Sequence, residues 1–333
     1  MPRTAILKPD HLGDLVLASP AIRAVRAWAG AVTLHVATRS LPLARFLFPD
    51  IDDLRPCDLP HLSRQPIAAA PVEALRRELA DCDHIVCLRD DAVMRAMLAE
   101  LGDRAVIPAG DPTTHETLIQ QRAVAGLAGP YSRTRLFSRQ QIQWPASVHH
   151  VALCIAAGFV TNRWPLTRWS ELGVALLHAG IEVTLVGGPA ERDDLRFLAR
   201  LLRCPAARVI EGGDDIRGFL DALGAVDLVI ATDGGTAHIA SLEKPVLSLF
   251  GSSPWRRYAP FGAWNLLITR NEPCSPCAQF STHVVNGCLT RECLTALLPA
   301  QVLSVLRGGA PPGVVVVRGT SHLERASACR RAP

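Results

Sequence analysis

Residues 227–251, DLVIATDGGTAHIASLEKPVLSLFG, constrain the fold of this chain more than any other stretch. Leu228–Ala231 is a short apolar run that predicts a buried strand. The run stops at Thr232-Asp233-Gly234-Gly235-Thr236. Residues 236–242 then suit a short helix, and Pro245–Phe250 is a second apolar strand. A strand, a glycine-rich turn and a helix start together make an anion site. Glycines let the backbone approach closely, the first helical N–H groups have no internal partners, and the macrodipole favours negative charge. An acidic residue beside such a turn can hold the hydroxyls of a group attached to a phosphate. The pattern therefore points to a sugar-nucleotide diphosphate, with Asp233 near the sugar.

The same alternation runs through the rest of the chain. Thr4–Leu7, Val32–Ala37, His84–Leu88 and Ala105–Ile107 read as strands, with an edge strand in the turn segment Asp50–Cys57. Between them Leu15–Trp28, Pro42–Phe48, Val72–Ala80 and Ala92–Leu101 read as helices, and Thr114–Leu127 follows. Pro20 lies inside the first helical stripe and predicts either a kink or a helix start near Ser19. Residues 129–147 lose periodicity and carry Pro130 and Pro145, which predicts a domain boundary. A second array follows: strands at His150–Ala156, Glu182–Val186, Arg208–Ile210 and Leu266–Thr269, with helices at Arg168–His178, Glu191–Leu202, Ile216–Leu223 and Pro299–Arg307. Strands alternating with helices imply parallel sheets covered by helices, with function at the carboxyl ends of the strands. Lys8, Asp10, His11 and Asp14 fall at such an end. The expected domains are 1–140 and 148–308, each Rossmann-like, with the cleft between them as the default ligand site. Residues 309–333 are expected to be a loosely held tail, although Val314–Val317 suits an edge pairing.

Composition narrows the function. At 333 residues with 49% hydrophobic and 20% charged content, the chain is globular and long enough for two cores. A net charge of +4 is too weak to argue for nucleic acid. Arginine greatly outnumbers lysine, and its planar fork grips phosphates and carboxylates with two parallel bonds. No apolar run approaches a membrane span, and the N-terminus shows no signal-peptide pattern, so a cytoplasmic protein is expected. The ten cysteines then read as mostly reduced thiols.

Three blocks in order carry a family resemblance. They are Ile6-Leu7-Lys8 with His11-Leu12-Gly13-Asp14 and Ser19-Pro20-Ala21-Ile22; Arg163-Trp164-Pro165 before Trp169; and Asp233-Gly234-Gly235-Thr236-Ala237-His238 with Lys244-Pro245 and Leu249-Phe250-Gly251. Together these resemble glycosyltransferase family 9, the ADP-heptose:lipopolysaccharide heptosyltransferases, over most of residues 4–300. The resemblance implies an α/β GT-B fold, two Rossmann-like domains facing each other across a cleft. It also implies metal-independent inverting transfer and a donor held mainly by the C-terminal domain.

On this resemblance Asp14 is the base that takes the acceptor hydroxyl's proton, although an aspartate there also suits a helix N-cap. Lys8 and His11 fall on the acceptor side. Arg163, where the family commonly has lysine, pairs with the donor phosphates, and Thr161 adds a bond to phosphate. Glu191 resembles the acidic contact to ribose hydroxyls; the alternative is a favourable charge in a helix's first turn. Asp233 binds sugar hydroxyls, while Gly235 and Thr236 offer N–H groups to the diphosphate. Gly234 replaces the family's usual Ser or Thr, so one hydroxyl is missing. His238 reads as a packed structural residue.

Cys274-x2-Cys277-x10-Cys288-x4-Cys293 has a first pair at metal-knuckle spacing, with His283 as a substitute ligand. A structural zinc or iron site and a plain cluster of loop thiols are both open, and no metal is assigned to the chemistry. The expected enzyme is thus an inverting transferase using ADP-heptose as substrate and requiring no cofactor. Its acceptor is a lipopolysaccharide-core sugar at the inner face of the cytoplasmic membrane, reached peripherally through basic residues such as Lys8, Arg39 and Arg64. The alternatives are a GT-B transferase with another sugar nucleotide or a protein or other glycan acceptor, and a non-catalytic nucleotide-sugar-binding protein. A nicotinamide dehydrogenase is disfavoured, because no G-x-G-x-x-G follows the first strand.

Overall fold

The computed structural model describes residues 2–59, 69–110, 113–128, 142–203, 208–209, 215–262, 264–277, 288 and 290–318. The chain divides into two compact units, Met1–Leu136 and Phe137–Pro333.

The first unit alternates strand and helix: β1 (Thr4–Lys8), α1 (Leu12–Ala29), β2 (Val32–Val36), α2 (Leu41–Leu47), β3 (Asp53–Pro56), α3 (Ala69–Ala80), β4 (His84–Cys87), α4 (Ala92–Leu98), β5 (Ala105–Val106) and α5 (Glu116–Ala128). Its sheet has the order β3-β2-β1-β4-β5. Every pairing in it is parallel. β1 is buried along its whole length, as a strand covered on both faces must be. Leu7, Leu79, Ile85, Met94 and Met97 belong to the core on one side of this sheet.

Pro20 does not start α1. The helix begins at Leu12 and runs through the proline. Pro20 has no N–H for the carbonyl of Val16 four residues back, and the Ser19 hydroxyl donates to that carbonyl instead, at 2.8 Å. The Ser-Pro pair is therefore self-consistent inside a helix. Leu15, Ala18, Ile22 and Val25 are buried as the stripe predicts, whereas Trp28 stays 39% exposed.

The second unit comprises β6 (His150–Cys154), α6 (Leu166–His178), β7 (Glu182–Gly187), α7 (Arg192–Leu202), β8 (Arg208–Val209), α8 (Ile216–Ala222), β9 (Leu228–Thr232), α9 (Gly235–Ala240), β10 (Val246–Phe250), α10 (Trp255–Tyr258), β11 (Leu266–Thr269), α11 (Glu292–Thr295), α12 (Pro299–Leu306) and β12 (Val315–Arg318). The strand order is β12-β11-β10-β9-β6-β7-β8. Leu153, Trp164, Trp169, Leu172, Leu198, Ile230 and Leu249 pack in one core. Burying an apolar side chain of this size stabilises by about 1.5–3 kcal/mol. The indole N–H of Trp164 donates to the Leu297 carbonyl, and its ring meets Trp169 edge to face at 4.9 Å.

The segment after 308 is not uniformly loose. Val315–Arg318 pairs antiparallel with β11 and forms the sheet edge, because a valine run satisfies an open strand edge with ladder hydrogen bonds. Residues from 319 onward lie outside the described residues.

Candidate active site

In a doubly wound sheet, the crevice where strand order reverses lies outside the carboxyl ends of the two strands concerned. In the first unit these strands are β1 and β4. Lys8 ends β1 and is only 3% exposed. Its Nζ donates to the Leu88 carbonyl at 2.9 Å and pairs with Asp10 Oδ2 at 2.6 Å. Burial alone would disfavour this ammonium, but the negative charges of Asp10, Asp14 and Glu116 outweigh burial and raise its pKa. Lys8 is therefore not a solvated strand-end side chain.

Arg89, just past β4, is buried as well. Its guanidinium pairs with Asp91, donates to the Leu59 carbonyl at 3.1 Å and lies 3.8 Å from Asp10 Oδ1. Asp91 in turn caps α4 by accepting the Met94 N–H at 2.9 Å. Gln120 ties Glu116 (2.8 Å) to the same Leu88 carbonyl (3.4 Å).

Asp14 is half-buried in the first turn of α1. It is not the N-cap. His11 occupies that position, with no side-chain cap bond, and Asp14 is the third helical residue. His11 is exposed, and its Nδ1 meets the Arg39 guanidinium. Arg64 lies outside the described residues.

In the second unit the order reverses between β6 and β9. A turn at Val160–Asn162 follows β6, and Pro165 then caps α6. Buried Trp164 anchors this segment and leaves the Arg163 side chain 47% exposed. Arg163 Nη2 stands 3.7 Å from Glu191 Oε1, so the structure brings these two expected donor contacts together. Glu191, 7% exposed, folds back onto its own strand end, where its Oε2 accepts the Gly188 N–H at 3.0 Å. Gly187 permits this approach, since a Cβ there would sit 3.1 Å from Glu191 Cβ and from Leu195 Cδ1.

Asp233, Gly234, Gly235 and Thr236 are all half-buried where β9 passes into α9. His238 is 4% exposed in that helix, in keeping with a packed residue. Asp233 Oδ2 accepts from Asn162 Nδ2 at 3.0 Å, and the same amide donates to Ser253 Oγ at 2.8 Å. Ser252 Oγ lies 2.5 Å from Asn162 Oδ1 and 3.2 Å from Thr161 Oγ1. A carbonyl oxygen only accepts, so the single Ser252 proton is drawn to Asn162, and the Thr161 hydroxyl is left to donate to Ser252. Thr161 is 1% exposed. Burial and this chain of bonds hold it beneath the surface.

The sequence reading missed Arg89, Asp91, Glu116 and Gln120 in the first unit, and Asn162, Ser252 and Ser253 in the second. Two signals were available. Arg89-Asp90-Asp91 directly follows an apolar strand, and Ser252-Ser253 directly follows Leu249-Phe250-Gly251.

The cysteine-bearing segment braces these loops. Cys277 N–H donates to the Ser252 carbonyl at 2.9 Å, the Ser275 hydroxyl donates to the Gly251 carbonyl, and Arg291 Nη1 donates to the Val160 carbonyl at 3.0 Å. Cys293 is buried and its thiol is pushed up to about 11, first by burial and then by Cys277, Cys274 and Cys288. Among the described residues no group of three or more His, Cys, Asp or Glu side chains is placed to hold a metal ion. His283 lies outside the described residues.

Two Rossmann-like α/β units, each with polar residues at its switch point, define the GT-B class. Within that class, residues 123–285 match the model of glycosyltransferase family 9 (heptosyltransferase). A curated relative, lipopolysaccharide heptosyltransferase 1 of Pseudomonas aeruginosa, is 31% identical over 121 residues, 36% of this chain and 33% of the relative. The matched part thus spans about a third of that relative's length. Among solved structures, the family 9 glycosyl transferase of Veillonella parvula superimposes with a TM-score of 0.71 at 15% identity, covering 92% of this chain and 96% of the other. The E. coli heptosyltransferase WaaC with ADP gives 0.62 at 18% identity, covering 92% and 100%. These likenesses concern the fold. Lys8, His11 and Asp14 lie outside the matched residues 123–285. No helix among the described residues is long and apolar enough to cross a membrane.

Proposed function

We propose that the chain is an inverting glycosyltransferase that moves heptose from ADP-heptose to a lipopolysaccharide-core acceptor, with Asp14 as general base. The observation that carries this is the second switch point, where Arg163, Glu191 and Asp233 gather on loops beside the Gly235 helix start. A sugar diphosphate needs those groups: a cation for the leaving phosphates, a carboxylate for ribose hydroxyls and another for the transferred sugar. Gly234, Gly235 and Thr236 supply the close backbone to the diphosphate. Thr161 acts from beneath, holding Ser252.

The first unit brings the acceptor. His11 and Arg39 stand exposed for its acidic groups, and Lys8 acts from within the edge. The positive charges of Lys8 and of the α1 N-terminus favour an ionised Asp14, which takes the proton as the acceptor oxygen attacks the anomeric carbon and ADP leaves. Such an acceptor places the protein at the inner face of the cytoplasmic membrane, held peripherally. No metal takes part in these steps.

Asp14→Ala is expected to lower transfer by about 10²–10⁴-fold while leaving ADP affinity nearly unchanged. Product mass spectrometry and calorimetric ADP binding check the two halves, and wild-type transfer by Asp14→Ala would remove the base assignment. A second reading, transfer of another sugar or to another acceptor, is favoured by Gly234 and Arg163 standing where the family has a hydroxyl and a lysine. A panel of sugar nucleotides separates it from the first.

A further inference from the structure

Asp233 sits just past a strand end, where a carboxylate is free to swing unless something holds it. One group that holds it is Asn162, 2% exposed and 71 positions away in sequence. The side-chain amide of Asn162 spends both donors and its acceptor on three different partners: Asp233 and Ser253 receive from Nδ2, and Ser252 gives to Oδ1. The amide's orientation is therefore determined, since the reverse would set its carbonyl oxygen against the Asp233 carboxylate. Three strand-end loops, those after β6, β9 and β10, are tied through this one group. Each loop is itself fixed: Asn162 N–H donates to the Phe159 carbonyl, Asp233 N–H to the Leu249 carbonyl, and the Ser252 carbonyl accepts from Cys277.

We infer that Asn162 is a positioning residue of the donor half-site, holding the Asp233 carboxylate in the orientation that receives the transferred sugar. The inference rests on the donor reading given above. An amide suits this task better than a cation would. It fixes the direction of the carboxylate without neutralising it, so Asp233 keeps the full negative charge with which it accepts sugar hydroxyl protons. Asn162 itself, buried and fully bonded, does not touch the donor. Asp233 is assigned to the sugar and not to the nucleotide, so loss of Asn162 should be felt by ADP-heptose and not by ADP.

The test measures the affinities of wild type, Asn162→Ala and Asn162→Asp for ADP and for ADP-heptose, with thermal melting to follow folding. Asn162→Ala is expected to weaken ADP-heptose by about ten- to a hundredfold, the loss expected for a hydrogen bond to a charged group, and to leave ADP within about twofold. Asn162→Asp sets two carboxylates against each other. It should bind ADP-heptose weakly at neutral pH and recover as pH falls, when one carboxyl is protonated and donates to the other. A merely structural role would weaken both ligands alike and show no such recovery. Ser253→Ala removes the second partner of Nδ2 and should show the same selectivity at smaller size, which keeps the test open if Asn162→Ala does not fold. Equal effects on ADP and ADP-heptose, or none, in the folded variants would overturn the inference. Failure of the wild type to bind ADP-heptose at all would instead strike the donor assignment, and with it the premise.

Discussion

At the carboxyl edge of the first sheet the buried polar groups include four charged ones, Lys8, Asp10, Arg89 and Glu116, beside the neutral Ser40 and Gln120. At that of the second they are mostly neutral: Thr161, Asn162, Thr232, Ser252 and Ser253, with Glu191 the charged exception. Two sheets of one architecture thus differ in how much buried charge their edges hold. On the proposed function, a carboxylate that takes a proton is served by nearby positive charge, and Lys8 supplies such a charge beside Asp14. A ligand that brings a diphosphate carries its own negative charge. It is better served by neutral groups that hold loops in place and by one half-exposed cation, Arg163. The two lysines of the chain make the point in miniature. Lys8 is locked among acids, and Lys244 turns its ammonium to the Gly224 and Val226 carbonyls, 2.9 and 2.7 Å away.

The contrast can be broken most forcefully at Asp10. Its side chain and that of Lys8 are almost wholly buried, so Asp10→Ala strands an ammonium in the interior. Removing one partner of such a pair costs about 3–5 kcal/mol. Asp233→Ala in the second unit removes a half-buried carboxylate held by a neutral amide and should cost only about 1 kcal/mol. Urea unfolding of the two variants, followed separately for each unit, checks this; comparable losses would mean that the edges do not differ as described.

A smaller effect separates the units by pH. His35, buried in β2, has its pKa lowered below 6.5, first by burial and then by Arg55, against the opposing pull of Glu78 and Asp53. A depressed pKa means that the folded unit binds fewer protons than the unfolded chain. Its contribution is fully present above about 6.5 and is lost as pH falls through the folded value. The first unit should therefore soften in mild acid, and His35→Asn should remove that slope. Asp227 in the second unit behaves at the other end of the scale. Burial opposes its ionisation, but the His149 and His150 N–H groups win and lower its pKa, so its stabilisation is lost only below about 3.8. Thermal melts across this range report both.

Much of this was legible in the sequence, and the limits have a physical pattern. Apolar runs bounded by glycine and proline located the strands and helices, because burial on both faces of a parallel sheet leaves no choice of residue. Arg163, Glu191 and Asp233 stand in the segments that follow β6, β7 and β9, since topology puts them there. What could not be read was the partnership of residues far apart in the chain. Asn162 looks like any loop asparagine until β9 and β10 bring Asp233 and Ser252 to it, and Arg89 looks solvated until Asp10 closes over it. The same blindness applied to Pro20, whose helix-breaking tendency is met by a hydroxyl one residue away. It applied also to Lys8 and Thr161, whose burial no local pattern in the sequence indicated.

The finest test of the second edge is Gly234→Ser, which restores the hydroxyl that the family motif leads one to expect. Gly234 is the N-cap of α9, with φ 172° and ψ 172°, an extended conformation open to any residue. An added Cβ would lie 3.5 Å from the Ala156 carbonyl oxygen and 3.7 Å from Ala157 Cα, ordinary contacts that require no movement. The helix has no side-chain cap at present, and serine in place of glycine there is worth only a few tenths of a kcal/mol, or about 1 °C in melting temperature. The serine oxygen would accept an N–H of the first turn while its own proton turns outward to a phosphate oxygen, so ADP should bind about two- to threefold more tightly. A tenfold loss of ADP affinity with unchanged melting would mean that the diphosphate needs the bare backbone at Gly234. The second edge would then admit its ligand through absence of a side chain, where the first holds its carboxylate by buried charge.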